Sequence, residues 1–389
     1  MKALVFHGPK MVAVDDAPDP KIEHPRDAIL KVTATAICGS DLHIYNGAIP
    51  QLKPLILGHE FMGEVVEVGP EVKNLARGDR VVIPFPIACG RCWFCSHALP
   101  THCESSNPDH YGPEGGLLDQ KGGALFGYTD LYGPYQGGQA QYVRVPYADY
   151  GPRKVPAQLQ NEEVLFLSDI IPTAYSGLKW AEVQPGETVA VFGCGPVGLM
   201  ALKLAKIMGA AKVIGVDMLP YRLEKARLVA GCEIIDGKEH DPVEVIRSMT
   251  GGRGADVCIE AVGMEPDRSV IEKISNVLHL QRGSITAVEL AFSAVRRGGR
   301  VSIMGVYVTK YDNFPLGQWL DKGLRVQSGQ ATVHNYIDAL MEMIVRGDLV
   351  ASDIITHRLP LAQAPHGYSI FNKKEEDCVK VVLDPWAAT

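Results

Sequence analysis

The sequence predicts an α/β chain in two domains, one a parallel sheet wrapped by helices and the other mainly β. Three observations predict it. At 389 residues the chain exceeds what one hydrophobic core usually serves. From residue 1 to about 168 the apolar residues fall in short alternating or β-branched runs broken by glycine and proline, which is the texture of strands and turns. From Glu187 onward such runs alternate with helical periodicity, and strand alternating with helix implies parallel strands covered on both faces.

In chain order, KALVF, AILKVTA, GEVVEV, DRVVIP and QAQYVRVP read as the strands of the first half. The texture changes near Leu165. The strand TVAVFG is followed by the helix PVGLMALKLAKIMG, the strand KVIGVD, the helix YRLEKARLVAG and the strands ADVCIEAVG and RVSIMGV. A helix over 336–346 and a strand CVKVVLD close the chain, and this tail is expected to return to the first domain. Two stretches exceed a minimal plan. Residues 111–138, rich in glycine and tyrosine, are expected to form an ordered loop over a site or a surface excursion. Residues 264–299 are too long for a single crossover and are expected to hold extra helix, ITAVELAFSAV being one amphipathic segment.

Composition narrows the partners. Lys+Arg 38 against Asp+Glu 45 gives a net charge of -7, and no basic block of five or more residues occurs, which argues against nucleic acid and anionic lipid. No apolar run approaches the roughly 18 residues of a membrane span. The opening MKALVFHGPK has no leader-like pattern, so the reducing cytoplasm is the expected compartment and small molecules the expected ligands. In that setting clustered thiols read first as metal ligands.

Four of the nine cysteines, Cys89, Cys92, Cys95 and Cys103, form a C-x2-C-x2-C-x7-C pattern. Such thiolates can fold round one ion, and four sulfurs complete the tetrahedral shell zinc prefers with no open position, so the site should be structural. His102 beside Cys103 is not needed as a ligand. A second motif, FGCGPVG, places Gly193, Gly195 and Gly198 after a strand and at the start of a helix, with Asp217 ending the next strand nineteen residues beyond the last glycine. The first glycine permits a tight turn, the second lets backbone approach a pyrophosphate, and the third lets helix and strand pack, so this is a Rossmann dinucleotide fingerprint. Pro196 and Val197 open the helix whose N-terminal amides would receive the phosphate. Asp217 would accept the adenine-ribose hydroxyls and repel a 2′-phosphate, favouring NAD over NADP, although Arg222 nearby could meet that phosphate. A third, dispersed set comprises Cys38-Gly-Ser-Asp-Leu-His43, Gly58-His59-Glu60 and Ser168-Asp169. Singly each is bland. Together they supply a thiolate, an imidazole and a carboxylate, which suits a catalytic zinc with an open position. The remaining histidines read as surface or structural residues, and KKEED near Lys373 as a solvated face.

CGSDLH, GHEFMGEV, GDRV, the four-cysteine lobe, GGQAQYV and GCGPVG occur in the order and at spacings that resemble the zinc-dependent medium-chain alcohol dehydrogenase family across essentially the whole chain. The resemblance implies a GroES-like catalytic domain of residues 1–170 and 331–389, with a structural zinc lobe at about 88–104, and an inserted Rossmann NAD-binding domain of 171–330. It implies that Cys38, His59 and Asp169 bind the catalytic zinc, with Glu60 an alternate or neighbouring ligand. Ser40 would touch the substrate oxygen and pass its proton to His43, Asp41 would orient His59, and Thr173 would line the nicotinamide pocket. For Ser40 the plain alternative is a helix N-cap. Well-known members carry cysteine where this chain has Asp169; aspartate in FLSDIIPT is similar to the glutathione-independent formaldehyde dehydrogenase subgroup. The expected protein is therefore a homo-oligomeric enzyme with two zinc ions and NAD, acting on a small alcohol or aldehyde such as formaldehyde. The rivals are a polyol or amino-alcohol dehydrogenase, an aldehyde dismutase holding its NAD tightly, and a non-catalytic binding protein on the same fold.

Overall fold

The computed structural model describes residues 1–107, 122–264, 285–308, 311 and 313–388. The chain forms two compact units, Met1–Pro172 with Ala331–Thr389, and Thr173–Gln330.

The first unit is built on a seven-stranded sheet. Its order is Arg153–Lys154, Arg80–Ile83, Glu60–Val68, Ala28–Ile37, Val381–Asp384 and His357–Pro360, with Tyr142–Val145 also paired to Ala28–Ile37. The C-terminal strand thus lies antiparallel to Ala28–Ile37, with Val382 opposite Ala36. Leu30, Val32, Phe61, Val65, Val81, Ile83 and Phe126 fill its core, and the Phe61 and Phe126 rings meet edge to face at 5.1 Å. Where the pairing of Ala28–Ile37 with Glu60–Val68 slips between Val32 and Ala34, Gly63 lies so close to its partner strand that a Cβ would stand 2.2 Å from the Lys31 carbonyl oxygen. Only glycine fits this bulge. A three-stranded sheet of Met11–Asp16, Lys2–Gly8 and Leu55–Ile56 and a short pair, Pro86–Ile87 with Ala124–Leu125, complete the unit's strands among the described residues.

The second unit is a six-stranded parallel sheet in the order Glu233–Asp236, Lys212–Asp217, Thr188–Phe192, Ala255–Glu260, Val295–Ile303, Arg325–Ser328. Counted along the chain this is 3-2-1-4-5-6, the doubly wound order with its switch point between Thr188–Phe192 and Ala255–Glu260. The central strands are buried almost throughout, as a sheet covered on both faces requires. The helix Pro196–Ile207 is likewise buried over most of its length, and Pro220–Ala230 ends at Gly231 in the left-handed region.

Of the two long stretches, residues 108–121 and 265–284 lie outside the described residues. The remainder of the first holds the strand Ala124–Leu125 and a 3-10 turn, Asp130–Tyr132; the remainder of the second holds the helix Thr286–Ala294. Among the described residues no helix is long and apolar enough to cross a membrane.

Candidate metal centres and cofactor turn

Cys38 ends its strand run, and Asp41 opens the short helix Asp41–Tyr45. Ser40 occupies the N-cap position of that helix but makes no capping hydrogen bond. Its hydroxyl instead donates to Cys38 Sγ at 3.2 Å and lies 3.1 Å from His59 Nε2. Asp169 stands in the break between the 3-10 turn Leu165–Ser168 and the helix Ile170–Trp180. Its Oδ2 lies 3.4 Å from Cys38 Sγ and 3.3 Å from His59 Nε2. A tetrahedral zinc with ordinary bond lengths would separate sulfur from oxygen by about 3.5 Å and nitrogen from oxygen by about 3.3 Å. The donor set therefore has the spacing the ion needs. Cys38, His59, Glu60 and Asp169 offer ligand atoms all within 4.8 Å of one another, and all four are buried.

The electrostatics point the same way. Burial, then the Asp169 and Glu60 carboxylates, push the Cys38 thiol up to about 12, so the site without a cation is poorly suited to its own charges. For His59 burial works downward, but the charges of Asp41 and Cys38 and hydrogen bonds to Asp169 and Asp41 outweigh it and hold the imidazole well above its usual range. Its other nitrogen, Nδ1, is 3.0 Å from Asp41 Oδ1. Asp41 is fully buried; its Oδ2 accepts from the Cys38 amide at 3.0 Å and from Gln139 Nε2 at 3.4 Å, and Tyr368 donates to Gln139 Oε1 at 2.9 Å. Glu60 is also engaged by a buried cation. Lys380 Nζ lies 2.8 Å and 2.7 Å from its two carboxylate oxygens and also donates to the Ile37 carbonyl at 3.1 Å, with both side chains fully buried. His43 lies half-buried on the helix Asp41–Tyr45, and Thr173 is half-buried on Ile170–Trp180.

In the cysteine lobe, Cys89, Cys92, Cys95 and Cys103 form the second convergent group. Cys89 and Cys95 sulfurs are 4.0 Å apart and those of Cys92 and Cys103 3.9 Å, close to the roughly 3.8 Å edge of a zinc tetrathiolate. Backbone amides of Arg91 and Cys92 donate to Cys89 Sγ, and that of Cys89 to Cys103 Sγ. Burial raises Cys89, but the Ser105 hydroxyl and these amides win and draw it down to about 6, so one thiolate is available before any metal arrives. His102 is not in the group.

At the glycine turn each position has a separate reason. Gly193 has φ +96, and a Cβ there would stand 2.8 Å from Val262. A Cβ on Gly198 would lie 1.8 Å from the Gly193 carbonyl oxygen, so helix and strand touch only through glycine. At Gly195, which caps the helix Pro196–Ile207, a Cβ would meet nothing nearer than Arg222 Nη1 at 3.8 Å. Packing does not demand glycine there, and the space beside the helix N-terminus is open. Pro196 is buried and Val197 half-buried at the start of that helix. Asp217 Oδ2 accepts from the Cys194 amide at 2.7 Å, and Oδ1 from the Met218 and Leu219 amides at 2.7 and 2.9 Å, which fixes the carboxylate at the lip of the turn. Arg222 is buried.

Sequence reasoning missed Lys380, Gln139 and Glu260. Glu260, fully buried at the end of its strand, accepts from the amides of Val262 and Gly263, both at 2.8 Å, and Gly305 at 3.1 Å, tying two loops at the carboxyl end of the sheet. The signal for Lys380 and Glu260 was available: each is a charge set inside an apolar stretch, CVKVV and VCIEAV.

A parallel sheet carrying a dinucleotide turn, together with a mainly β unit that gathers thiolate, imidazole and carboxylate, defines a zinc-dependent dehydrogenase. Residues 24–156 match the alcohol dehydrogenase GroES-like domain and residues 196–279 the zinc-binding dehydrogenase domain. The chain is 43% identical over 99% of its length to the whole of the zinc-type alcohol dehydrogenase-like protein AdhB of Bacillus subtilis (strain 168). It is 37% identical to formaldehyde dismutase of Pseudomonas putida, covering 99% of this chain and 97% of that one. The solved alcohol dehydrogenase TADH from Thermus sp. ATN1 superposes with a TM-score of 0.84 at 39% identity, over 99% of both chains. The chain belongs to the zinc-type alcohol dehydrogenase family, within which it resembles the members that act on formaldehyde. It is an oxidoreductase of small alcohols or aldehydes.

Proposed function

We propose that this enzyme transfers hydride between NAD and a small alcohol or aldehyde hydrate, formaldehyde included, with Cys38, His59 and Asp169 holding the catalytic zinc. The observation that carries the reading is the buried meeting of those three donors with the Ser40 hydroxyl, at separations of 3.1 to 3.4 Å. Zinc held there supplies Lewis acidity, lowering the pKa of a substrate hydroxyl toward neutrality. The chain's own residues do the rest. Ser40 receives the hydroxyl proton and His43 passes it to solvent. Asp41 fixes the tautomer and ring orientation of His59 through Nδ1, the usual task of a carboxylate behind a zinc histidine. Lys380 holds Glu60 back as a neighbouring carboxylate. Cys89, Cys92, Cys95 and Cys103 hold a closed structural zinc. Gly193, Gly195 and Gly198, with Pro196 and Val197, cradle the pyrophosphate, Asp217 accepts the adenine-ribose hydroxyls, and Thr173 borders the nicotinamide, which supplies the hydride acceptor when bound. The placement of Arg222 beside Gly195 suits a phosphate oxygen of the cofactor, so it does not by itself argue for NADP.

The proposed domains are residues 1–170 with 331–389 for catalysis and 171–330 for NAD, and the proposed assembly is a homo-oligomer. Absorbance at the NADH band with a panel of alcohols and aldehydes tests the activity, and metal analysis should return two zinc ions per chain. Variants of Cys38 or His59 should lose turnover and keep NAD affinity; folded variants that lose the cofactor would overturn the division of labour. Dismutation is a second reading, supported by the dismutase relative, and it would appear as alcohol and acid product without net NADH.

A further inference from the structure

The segment that carries Tyr128 is pressed against the backbone of the zinc ligand His59. Gly127 has φ +47, and a Cβ there would stand 2.5 Å from Gly137 Cα, 2.8 Å from the Gly58 oxygen and 2.9 Å from the Gly58 nitrogen. Gly58, the residue before His59, has φ +98 and is itself blocked by Gln139. Three glycines thus let two chain segments touch and seat the next residue, Tyr128, against the His59 ring edge to face, at 5.8 Å and 90°. The anchoring continues: the Thr129 hydroxyl donates to the Pro50 carbonyl at 2.9 Å, the Asp130 amide to Gln51 Oε1 at 2.9 Å, and the Gly127 amide to the Tyr135 carbonyl at 3.0 Å. Phe85 closes on His59 from another side at 6.0 Å, and the Tyr132 ring lies 6.2 Å from Tyr128.

Despite this rigid seating, the Tyr128 hydroxyl is buried and has no hydrogen-bond partner among the described residues. Leaving a phenol oxygen unsatisfied in the interior is costly, and natural proteins pair nearly all such groups. Phenylalanine would fill the same space without that cost. The Tyr128 ring lies against His59, and the charges of His59, Asp41 and Cys38 act on its hydroxyl, so the residue borders the candidate catalytic centre.

We propose that the Tyr128 hydroxyl is a specificity group for aldehyde hydrates, hydrogen-bonding the second hydroxyl of a gem-diol whose first hydroxyl is received at Cys38, His59, Asp169 and Ser40. The inference rests on the zinc-dehydrogenase reading above and adds to it a residue that favours the diol over the alcohol. In the step, the diol C–H bond breaks and its electron pair goes to C4 of the NAD nicotinamide. The proton of the first hydroxyl leaves through Ser40, the carbon–oxygen bond becomes a carbonyl, and the second hydroxyl stays on carbon. The diol and NAD become a carboxylic acid, NADH and a proton. A primary alcohol goes through the same step with hydrogen where the diol has its second hydroxyl, and so offers Tyr128 nothing to hold.

Tyr128→Phe tests this. With saturating NAD, kcat/KM is measured for formaldehyde, which is largely the diol in water, and for ethanol. The ratio of the two should fall about tenfold, the worth of one hydrogen bond at a closed site. The melting temperature, taken without substrate, should hold or rise by about a degree or more, because the variant removes an unsatisfied buried oxygen. An unaltered ratio, whether both constants fall together or neither moves, overturns the proposal, and so does a drop in melting temperature. A wild-type enzyme that oxidises ethanol and leaves formaldehyde untouched overturns the diol assignment alone; one that reduces NAD with neither overturns the function on which it rests.

Discussion

Lys380→Met isolates the buried charge pair behind the catalytic centre. Lys380 and Glu60 are both fully buried, and Nζ lies within 2.8 Å of both carboxylate oxygens. Burial works against an ammonium here, but the charges of Glu60 and Cys38, with the Glu60 hydrogen bond, keep the Lys380 pKa above the ordinary lysine value. Glu60 is pushed up by burial, and Lys380 is what opposes that push. Methionine keeps the length of the aliphatic stem and removes the charge, together with the hydrogen bond to the Ile37 carbonyl and the ammonium that sits 5.3 Å from the Phe166 ring centre. Glu60 is then left ionised without a partner, or protonated at the expense of its pairing. Breaking a buried pair from one side costs about 3 to 5 kcal/mol, most of it the uncompensated charge. For a unit of this size that corresponds to a fall of about 6 to 20 °C in melting temperature. Glu60→Gln combined with Lys380→Met should recover most of the loss, since neither charge then remains. Thermal melts of the two single variants and the double close the cycle. Strictly additive losses would refute the reasoning, because they would mean that the two side chains stabilise the fold independently.

Cys103→Ser should halve the zinc content and lower stability while the Cys38 site keeps its ion, measured by metal analysis alongside a melt. Asp217→Ala should cost about tenfold or more in kcat/KM with NAD and narrow the preference over NADP, read from initial rates with each cofactor. Asp169→Cys returns a sulfur donor, which gives more charge to the metal than oxygen, so the acidic limb of the turnover profile should move to higher pH; an unmoved limb counts against the role given to Asp169. His334, stacked on Tyr150 at 5.1 Å and buried, is held neutral chiefly by burial and then by Arg153, down to about 3. The unfolded chain takes up this proton below about pH 6.5 and the native chain does not, so stability present above that pH drains away as pH falls toward 3. Between pH 6.5 and 5 the loss from this one group is about 2 kcal/mol, and His334→Phe should flatten the denaturant midpoint against pH by that amount.

The parts of the site legible in the sequence are those whose chemistry is local. Gly193 and Gly198 could be read because turn and helix packing impose glycine at a fixed offset from one strand, and the cysteine lobe because its four thiols lie within fifteen residues. The parallel sheet was readable for a related reason: burial on both faces makes strands such as ADVCIE continuously apolar. Cys38, His59 and Asp169 were different. Nothing local joins positions 38, 59 and 169, and only the motif resemblance connected them before their side chains were seen at 3.3 to 3.4 Å.

What stayed hidden was the layer that holds those ligands. Gln139, Tyr368 and Lys380 reach the centre from the strand-side loop, the helix Ala364–Lys373 and the residue just before the last strand, so their roles exist only after the C-terminal strand has paired with Ala28–Ile37. The odd charge in CVKVV marks a buried lysine without naming its partner 320 residues away. Tyr128 is harder still, because a tyrosine in a glycine-rich stretch carries no pattern; only the close backbone approach of Gly127, Gly58 and Gly137 puts its ring against His59. The glycine turn and the cysteine lobe are therefore written in short motifs, while the contacts around Cys38, His59 and Asp169 are written between distant segments. Substitutions at Lys380 and Tyr128 should accordingly change stability and selectivity while the zinc and cofactor motifs remain intact.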